Sequence, residues 1–505
     1  MRRLALVLAL AVPALGCPEQ RPAPTPRRPP QAVIAAGAGS LADALTLRRP
    51  DGPEWFGLYL VGKKAGWTRS EIRRELRDGR DVVIGRTETV IRARVGEKEV
   101  ERRQEEERIW EAKLGGRLLS FRAAWAGDGG DRTVTGTCDK NTCKALLVSG
   151  KSREERTIPD VKETVELADG ARLAAARRGT VAGGQLDLEK LRVREVRDQF
   201  LRRDVIAGGG VQEEVGVVTE SEPGDRLASE YRVADDGRIL EIRLGEAVVA
   251  RPEPEDVARR LDRIDLFSVA RVPVPRELPR DVPKTIAYRF VGLPASFQKG
   301  DARQRFEKGP EGTTVLVVSA RRPAAADPAK DTALERARVG ASPDDLAATP
   351  QVNYDAPGIR ELARELAGKS KGTYEAARKL TQAVHDRLQK VYGASHDRAS
   401  DVLAAGEGDC TEHTVLLVAL ARALGIPARE VHGLVYARYG DGPDALYWHA
   451  WAEIRSAGEW IAVDPTFGQP VADATHVALG SGSQVDTVGL LGSLKVNGVE
   501  VREAK

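Results

Sequence analysis

Residues 406–468 read GEGDCTEHTVLLVALARALGIPAREVHGLVYARYGDGPDALYWHAWAEIRSAGEWIAVDPTFG, and the rest of the chain is read outward from them. Gly406-Glu407-Gly408-Asp409 is a turn, and Asp409 is a good helix N-cap type. Cys410 then falls in the first helical turn, where free N–H groups and the helix dipole favour a thiolate over a thiol. Thr414 to Leu424 is apolar nearly all round, which predicts a central, buried helix. Gly425 stops it and Pro427 prevents its continuation.

Strands are predicted next. Arg429 to Arg438 alternates around Val431, Gly433 and Val435. Tyr447 to Ile454 and Trp460 to Asp464 flank a short turn containing Ala457-Gly458, the pattern of a β-hairpin. With an even loop, His449 and Asp464 share a face, directly opposite or one pair off; a one-residue slip separates them. Cysteine, histidine and aspartate brought together have a specific chemistry. A cysteine thiolate attacks a carbonyl, the histidine holds the thiolate as an ion pair and later protonates the leaving group, and the aspartate fixes the histidine tautomer and stabilises its cation. N–H groups at the helix start would serve the oxyanion.

These pieces resemble the transglutaminase-like superfamily, a circularly rearranged relative of papain-type cysteine proteases. The resemblance rests on Gly408-Asp409-Cys410, on the helix end Ala421 to Arg429, on His449-Ala450-Trp451-Ala452-Glu453, and on Trp460 to Thr466. It covers about Tyr354 to Ala478. It implies an α+β catalytic domain with a helix-borne cysteine packed on an antiparallel sheet. It assigns Cys410, His449 and Asp464 as nucleophile, base and orienting acid. One departure stands: no residue upstream of Cys410 matches the family's oxyanion donor, so Trp448, Trp451 and His413 are held as candidates for the oxyanion donor or for lining the site. His413, one turn beyond Cys410, is also a rival base, although a histidine on the same helix approaches the sulfur poorly.

Residues 1–17 read as a signal peptide: Arg2-Arg3, the apolar run Leu4 to Val12, then Ala14-Leu15-Gly16-Cys17. Cys17 is expected to carry lipid, the alternative being ordinary cleavage with a free thiol. Residues 18–40, dense in Pro, Ala, Arg and Gln, read as a tether. The chain is therefore expected to be exported and membrane-anchored through lipid, facing the periplasm or the cell surface. Residues 41–270 are expected to be a mainly β domain, a large antiparallel sheet or half-open barrel with one wet face. Short helices are expected at Leu186–Leu191 and Glu255–Asp265. Cys138 and Cys143 close a short hairpin and are expected to form a disulfide. Residues 271–345 read as a small β module and linker. Residues 346–480 are the catalytic domain, opening with helices over Gly358–Lys369 and Thr373–Tyr392. Residues 481–505 are set apart as C-terminal strands.

The 505 residues carry a formal net charge of +3, so no nucleic-acid footprint is visible. All six histidines lie from His385 onward, and the N-terminal half offers no metal cluster. His385 reads as structural, His432 as a strand-face residue and His476 as a loop residue. No cofactor is implied. The expected function is acyl transfer from a protein or peptide amide through a Cys410 thioester, ending in hydrolysis, deamidation or Gln–Lys crosslinking, with a lean to hydrolysis. The alternative is a silent peptide- or protein-binding module on the same fold, for which an intact Cys, His and Asp would be unnecessary.

Overall fold

The computed structural model describes residues 43–502 apart from short breaks at 96–97, 128–130, 151, 209–210, 267–268, 270, 280–282, 311, 392–393, 395, 439–443 and 482–484. The expected signal peptide, Cys17 and the tether lie outside the described residues. No described helix is long and apolar enough to cross a membrane.

Two-residue periodicity builds the N-terminal half. In strand β7 (Thr142–Ser149), Cys143, Ala145 and Leu147 are buried while Thr142 and Lys144 are exposed. Strands β1 (Glu54–Leu60), β2 (Lys63–Arg77), β3 (Arg80–Val95), β4 (Lys98–Glu111), β5 (Leu118–Gly127), β6 (Arg132–Asp139), β7 and β8 (Ser152–Ile158) form one meander. A second meander comprises β9 (Thr180–Asp187), β10 (Arg192–Gly208), β11 (Val211–Ser221), β12 (Ser229–Ala234), β13 (Ile239–Leu244) and β14 (Val248–Pro252). Antiparallel pairing of β1 with β14 joins the two into one 14-stranded sheet.

The sheet curls around a single apolar cluster holding Phe121 and Leu147 from one meander and Leu186 and Ile242 from the other. Helix α1 (Gly170–Arg177) packs into that cluster through Ala171, Leu173 and Ala174. The buried Arg108 guanidinium crosses between the two, donating to Glu163 at 2.6 Å and to the Leu186 carbonyl at 2.8 Å. Beside it lies a polar cavity of about 90 Å³ lined by Thr68, Arg86, Gln104 and Gln185. Cys138 and Cys143 sit directly opposite each other across β6 and β7 and are disulfide-bonded.

Three helix expectations change. Leu186–Leu191 is a strand end and a turn, because the Asp187 carboxylate accepts the N–H groups of Glu189 and Lys190 at 3.0 Å each. Leu186, Leu188 and Leu191 bury their side chains from the strand end and the turn. The 255–265 helix stops at Ala258, as helix α2 (Glu255–Ala258). The helix from Thr373 ends at Arg387, where Leu388 turns extended.

In the C-terminal half, helices α3 (Pro357–Ala367), α4 (Thr373–Arg387) and α5 (Ala399–Ala405) pack around helix α6 (Cys410–Ala423). Leu416, Leu417, Val418, Ala419, Leu420 and Ala421 are all fully buried, as a helix apolar on every side requires. Two short strands, β19 (Gln389–Lys390) and β20 (Glu407–Gly408), pair in parallel just ahead of α6, and the far side of α6 packs on strand β22 (Ala445–Ser456). A two-residue strand β15 (Val272–Pro273), β22, β21 (Ala428–Ala437) and β24 (His476–Ser481) lie in that order, with β23 (Glu459–Val463) also on β22. A separate sheet orders β17 (Gln304–Lys308), β18 (Thr313–Ser319), β16 (Thr285–Val291) and β25 (Lys495–Arg502). Strand β25, within the segment set apart as a tail, thus completes the small β module through burial of Val496 and Val499 against Tyr288 and Phe290.

Candidate functional site

The helix start is locked by a buried capping box. Asp409 accepts the N–H of Thr411 at 2.8 Å, and Glu412 reaches back to the N–H of Asp409 at 2.9 Å. Burial and then the Asp409 carboxylate push the Glu412 carboxyl well up, so it is held as the neutral acid. Cys410 follows immediately and is half-buried. Burial, with Asp409 next, pushes its thiol up, while a hydrogen bond from the Ala450 N–H pulls the other way. Burial thus works against the thiolate expected from the helix dipole and favours the thiol.

That hydrogen bond places the sulfur. Strand β22 pairs with β21 from Ala445 to Ile454. On its other side it pairs with β15 at residues 445–446 and with β23 at residues 452–456. The N–H of Ala450, next to His449, lies between those two patches and serves Cys410.

The hairpin register decides His449 and Asp464. Ser456 pairs with Glu459 across the two-residue turn Ala457-Gly458, both at positive φ, and Ala452 pairs with Val463. His449 and Asp464 therefore fall on one face, one pair off, with His449 Nε2 2.8 Å from Asp464 Oδ2. His449 is buried, and its Nδ1 has no hydrogen-bond partner among the described residues. Asp464 Oδ1 accepts the N–H groups of Thr466 at 2.6 Å and Phe467 at 3.1 Å. Although burial opposes it, the two histidines at its carboxylate hold Asp464 far below the usual carboxylate range. His385, expected to be structural, ties this loop to α4 by donating from Nδ1 to the carbonyls of Thr466 at 3.1 Å and Pro465 at 3.3 Å.

The second histidine on Asp464 is His476. The sequence reading placed it in a loop; it is the fully buried first residue of β24, with Nε2 2.9 Å from Asp464 Oδ2 and Nδ1 3.1 Å from Asp473 Oδ1. Trp451 and Phe467 surround both rings: Trp451 lies 6.0 Å from His449 and 5.2 Å from His476, Phe467 at 5.0 Å and 6.1 Å. The ligand atoms of His449, Asp464 and His476 lie within 4.8 Å of one another, a spacing a cation would also accept. Both Nε2 atoms already meet one carboxylate oxygen at hydrogen-bond distance, so the cluster reads as a proton-bonded chain.

Trp451 is thus a lining residue on the histidine face. Trp448 alternates onto the other face of β22, where it packs between two apolar clusters with its indole N–H unpartnered among the described residues. His413 is fully buried and donates from Nδ1 to the Asp409 carbonyl at 2.7 Å. Burial pushes it down, which makes it the poorer base. His432 is buried and pushed down to about 3, so it is neutral. The signal for His476 was present in Asp473-Ala474-Thr475-His476: an acidic turn and a histidine opening the apolar run Val477-Ala478-Leu479.

Residues 360–465 match the sequence model of the transglutaminase-like superfamily. Among curated proteins, none matches the chain. Among solved structures, the chain is similar to a putative cysteine protease from Cytophaga hutchinsonii, at 18% identity and a TM-score of 0.28, covering 43% of this chain and 83% of that one. It is also similar to a beta-barrel-like protein of a domain of unknown function from Brucella abortus, at 12% identity and a TM-score of 0.29, covering 40% and 94%. A putative protease from Parabacteroides distasonis follows at 10% identity and a TM-score of 0.18, covering 69% and 68%.

Proposed function

We propose that the transglutaminase-like domain at residues 360–465 works as a cysteine-dependent acyl-transfer enzyme on protein or peptide amides. The observation that carries this reading is the state of His449. Its Nε2 is hydrogen-bonded to Asp464, its Nδ1 is buried with no partner among the described residues, and the Cys410 sulfur accepts a hydrogen bond from the N–H of Ala450, the residue after His449. A carboxylate on Nε2 fixes the proton there and leaves a lone pair on Nδ1. Cys410 passes its proton to Nδ1 as the sulfur attacks the amide carbon, with N–H groups at the α6 start serving the oxyanion. The amide C–N bond then breaks, the leaving amine takes the proton from Nδ1, and a thioester remains on Cys410. Water, deprotonated by Nδ1, cleaves the thioester and the sulfur recovers its proton. Hydrolysis is the reading preferred here, with an amine in place of water giving crosslinking.

Export and lipid attachment at Cys17 belong to this proposal; the Cys138–Cys143 disulfide supports an oxidising compartment. The raised Cys410 thiol favours the second reading, a binding module, only if His449 has no effect on its reactivity. Alkylation of the full-length chain with iodoacetamide at pH 7, read by mass spectrometry at Cys410, separates the two. His449→Ala is expected to slow labelling at least about tenfold; equal rates would leave the binding module.

A further inference from the structure

The reaction above uses one of the two histidines on Asp464. The other has both ring nitrogens on carboxylates: Nε2 on Asp464 Oδ2 at 2.9 Å and Nδ1 on Asp473 Oδ1 at 3.1 Å. A neutral imidazole has one N–H and one lone pair. Whichever nitrogen carried the lone pair would aim it at a carboxylate oxygen in a fully buried site. Both nitrogens donate only when the ring is the imidazolium.

We infer that His476 is a positioning residue: a standing cation, clamped between Asp464 and Asp473, that holds Asp464 ionised and oriented and moderates its pull on His449. This rests on the proposed roles of Cys410 and His449.

The surroundings are built for it. Asp473 is itself fixed, accepting from Gln469 Nε2 at 2.7 Å, from the Thr475 N–H at 2.9 Å and from the Thr475 hydroxyl. Arg303, from the small β module, donates to the Asp473 carbonyl at 2.6 Å. The Trp451 ring stands edge-on to His476 at 83° and Phe467 at 80°, which keeps water from the pair. Among the described residues the charged and titratable groups facing His476 are Asp464, Asp473 and the His449 ring 5.9 Å away; the Thr475 hydroxyl, 3.3 Å from Nδ1, gives its proton to Asp473. Despite burial, the two carboxylates raise the His476 proton affinity.

The consequence reaches the sulfur. Asp464 alone would present a full negative charge to His449 and favour imidazolium and thiolate at rest. With His476 beside it, the charge of Asp464 is offset where His449 meets it, the second carboxylate, Asp473, standing on the other nitrogen of the His476 ring, so the pull on His449 is weaker and Cys410 keeps its proton until an amide arrives.

The test is nitrogen NMR on the full-length chain labelled in its six histidines, with His476 assigned by elimination against the single-histidine variants. Both its ring nitrogens should be protonated from pH 5 to pH 8, and Asp473→Asn should move its deprotonation to lower pH. A neutral His476 tautomer at pH 7 overturns the inference, as does displacement of either proton by added zinc. A second arm measures Cys410 alkylation in His476→Gln. Its rate at pH 7 should rise at least about threefold over the parent chain; an unchanged or slower rate overturns the moderating role, and a purely structural histidine would lower the unfolding temperature without moving the alkylation profile. Should the parent chain label no faster than His449→Ala, the catalytic reading fails, while the spectrum still decides the charge of His476.

Discussion

Gly433 pairs with His449 across β21 and β22, and a Cβ there would lie 2.0 Å from the Val477 carbonyl oxygen and 2.9 Å from the Trp451 ring. The backbone of β24 and the indole beside His449 both depend on that missing side chain. Gly433→Ala is expected to destabilise the C-terminal half by about 1–3 kcal/mol and to lower Cys410 alkylation as well, because relieving the clash moves Trp451 against His449. A thermal midpoint within about 2 °C of the parent would show that β24 yields freely. At this scale the pairing of His449 with Asp464 was legible, because one tight hairpin sets their separation. His476 was not, because its place depends on β24 returning beside β21 across a loop whose path no spacing encodes.

Helix α6 carries the element-scale argument. In its buried cap the Glu412 carboxyl is pushed up, by burial first and then by Asp409, and that raised acid ties stability to pH. A folded value raised above the free glutamic acid value of about 4.3 gives stability that is complete below that pH and lost as pH rises towards the raised value. Glu412→Gln keeps an acceptor for the Asp409 N–H without the ionisation, so it should match the parent at pH 5 and exceed it at pH 8. Glu412→Ala loses the bond at both and should fall by about 1 kcal/mol. Chemical melts at the two pH values check the pair, and a Gln variant weaker than the parent at pH 8 would refute the neutral acid. The apolar run of α6 and its Gly-Pro stop were readable directly. The 186–191 turn was misread because closely spaced leucines bury equally well from a turn, and the Asp187 side-chain bonds that decide the matter are not visible as periodicity.

Across the whole molecule, the turn after β9 reaches the C-terminal half: Gln351 Nε2 donates to Glu189 at 3.4 Å, and Arg398 meets Glu154 of β8 at 3.2 Å. Burial pushes Glu189 up to about 7, so its contribution is complete below about 4.3 and lost as pH climbs to that value. His476 acts in the same sense at higher pH, complete below about 6.5 and lost above. Asp464 and Asp473, both depressed, act oppositely: their stabilisation is present above about 3.9 and lost only in strong acid. The unfolding midpoint should therefore be highest near pH 5 and fall towards pH 8.5. Glu189→Gln should recover about 1–2 kcal/mol of that fall; a flat profile in the parent would contradict the buried carboxyl. The alternating strands of the N-terminal half announced a large antiparallel sheet, whereas which strands close it was beyond reading, since β1 meets β14 and β25 meets β16 only through long-range pairing.

The seam between β1 and β14 has a consequence for biogenesis. During synthesis the first meander leaves the ribosome with β1 as a bare edge, and its partner arrives only after the whole second meander has followed. Through that interval a strand carrying Phe56, Leu58 and Leu60, all buried once the sheet is joined, is a template for any stray β-segment. Closing so distant a contact is slow, and a chain handled in this order needs an escort that shields one edge until the last strand of its sheet has been made.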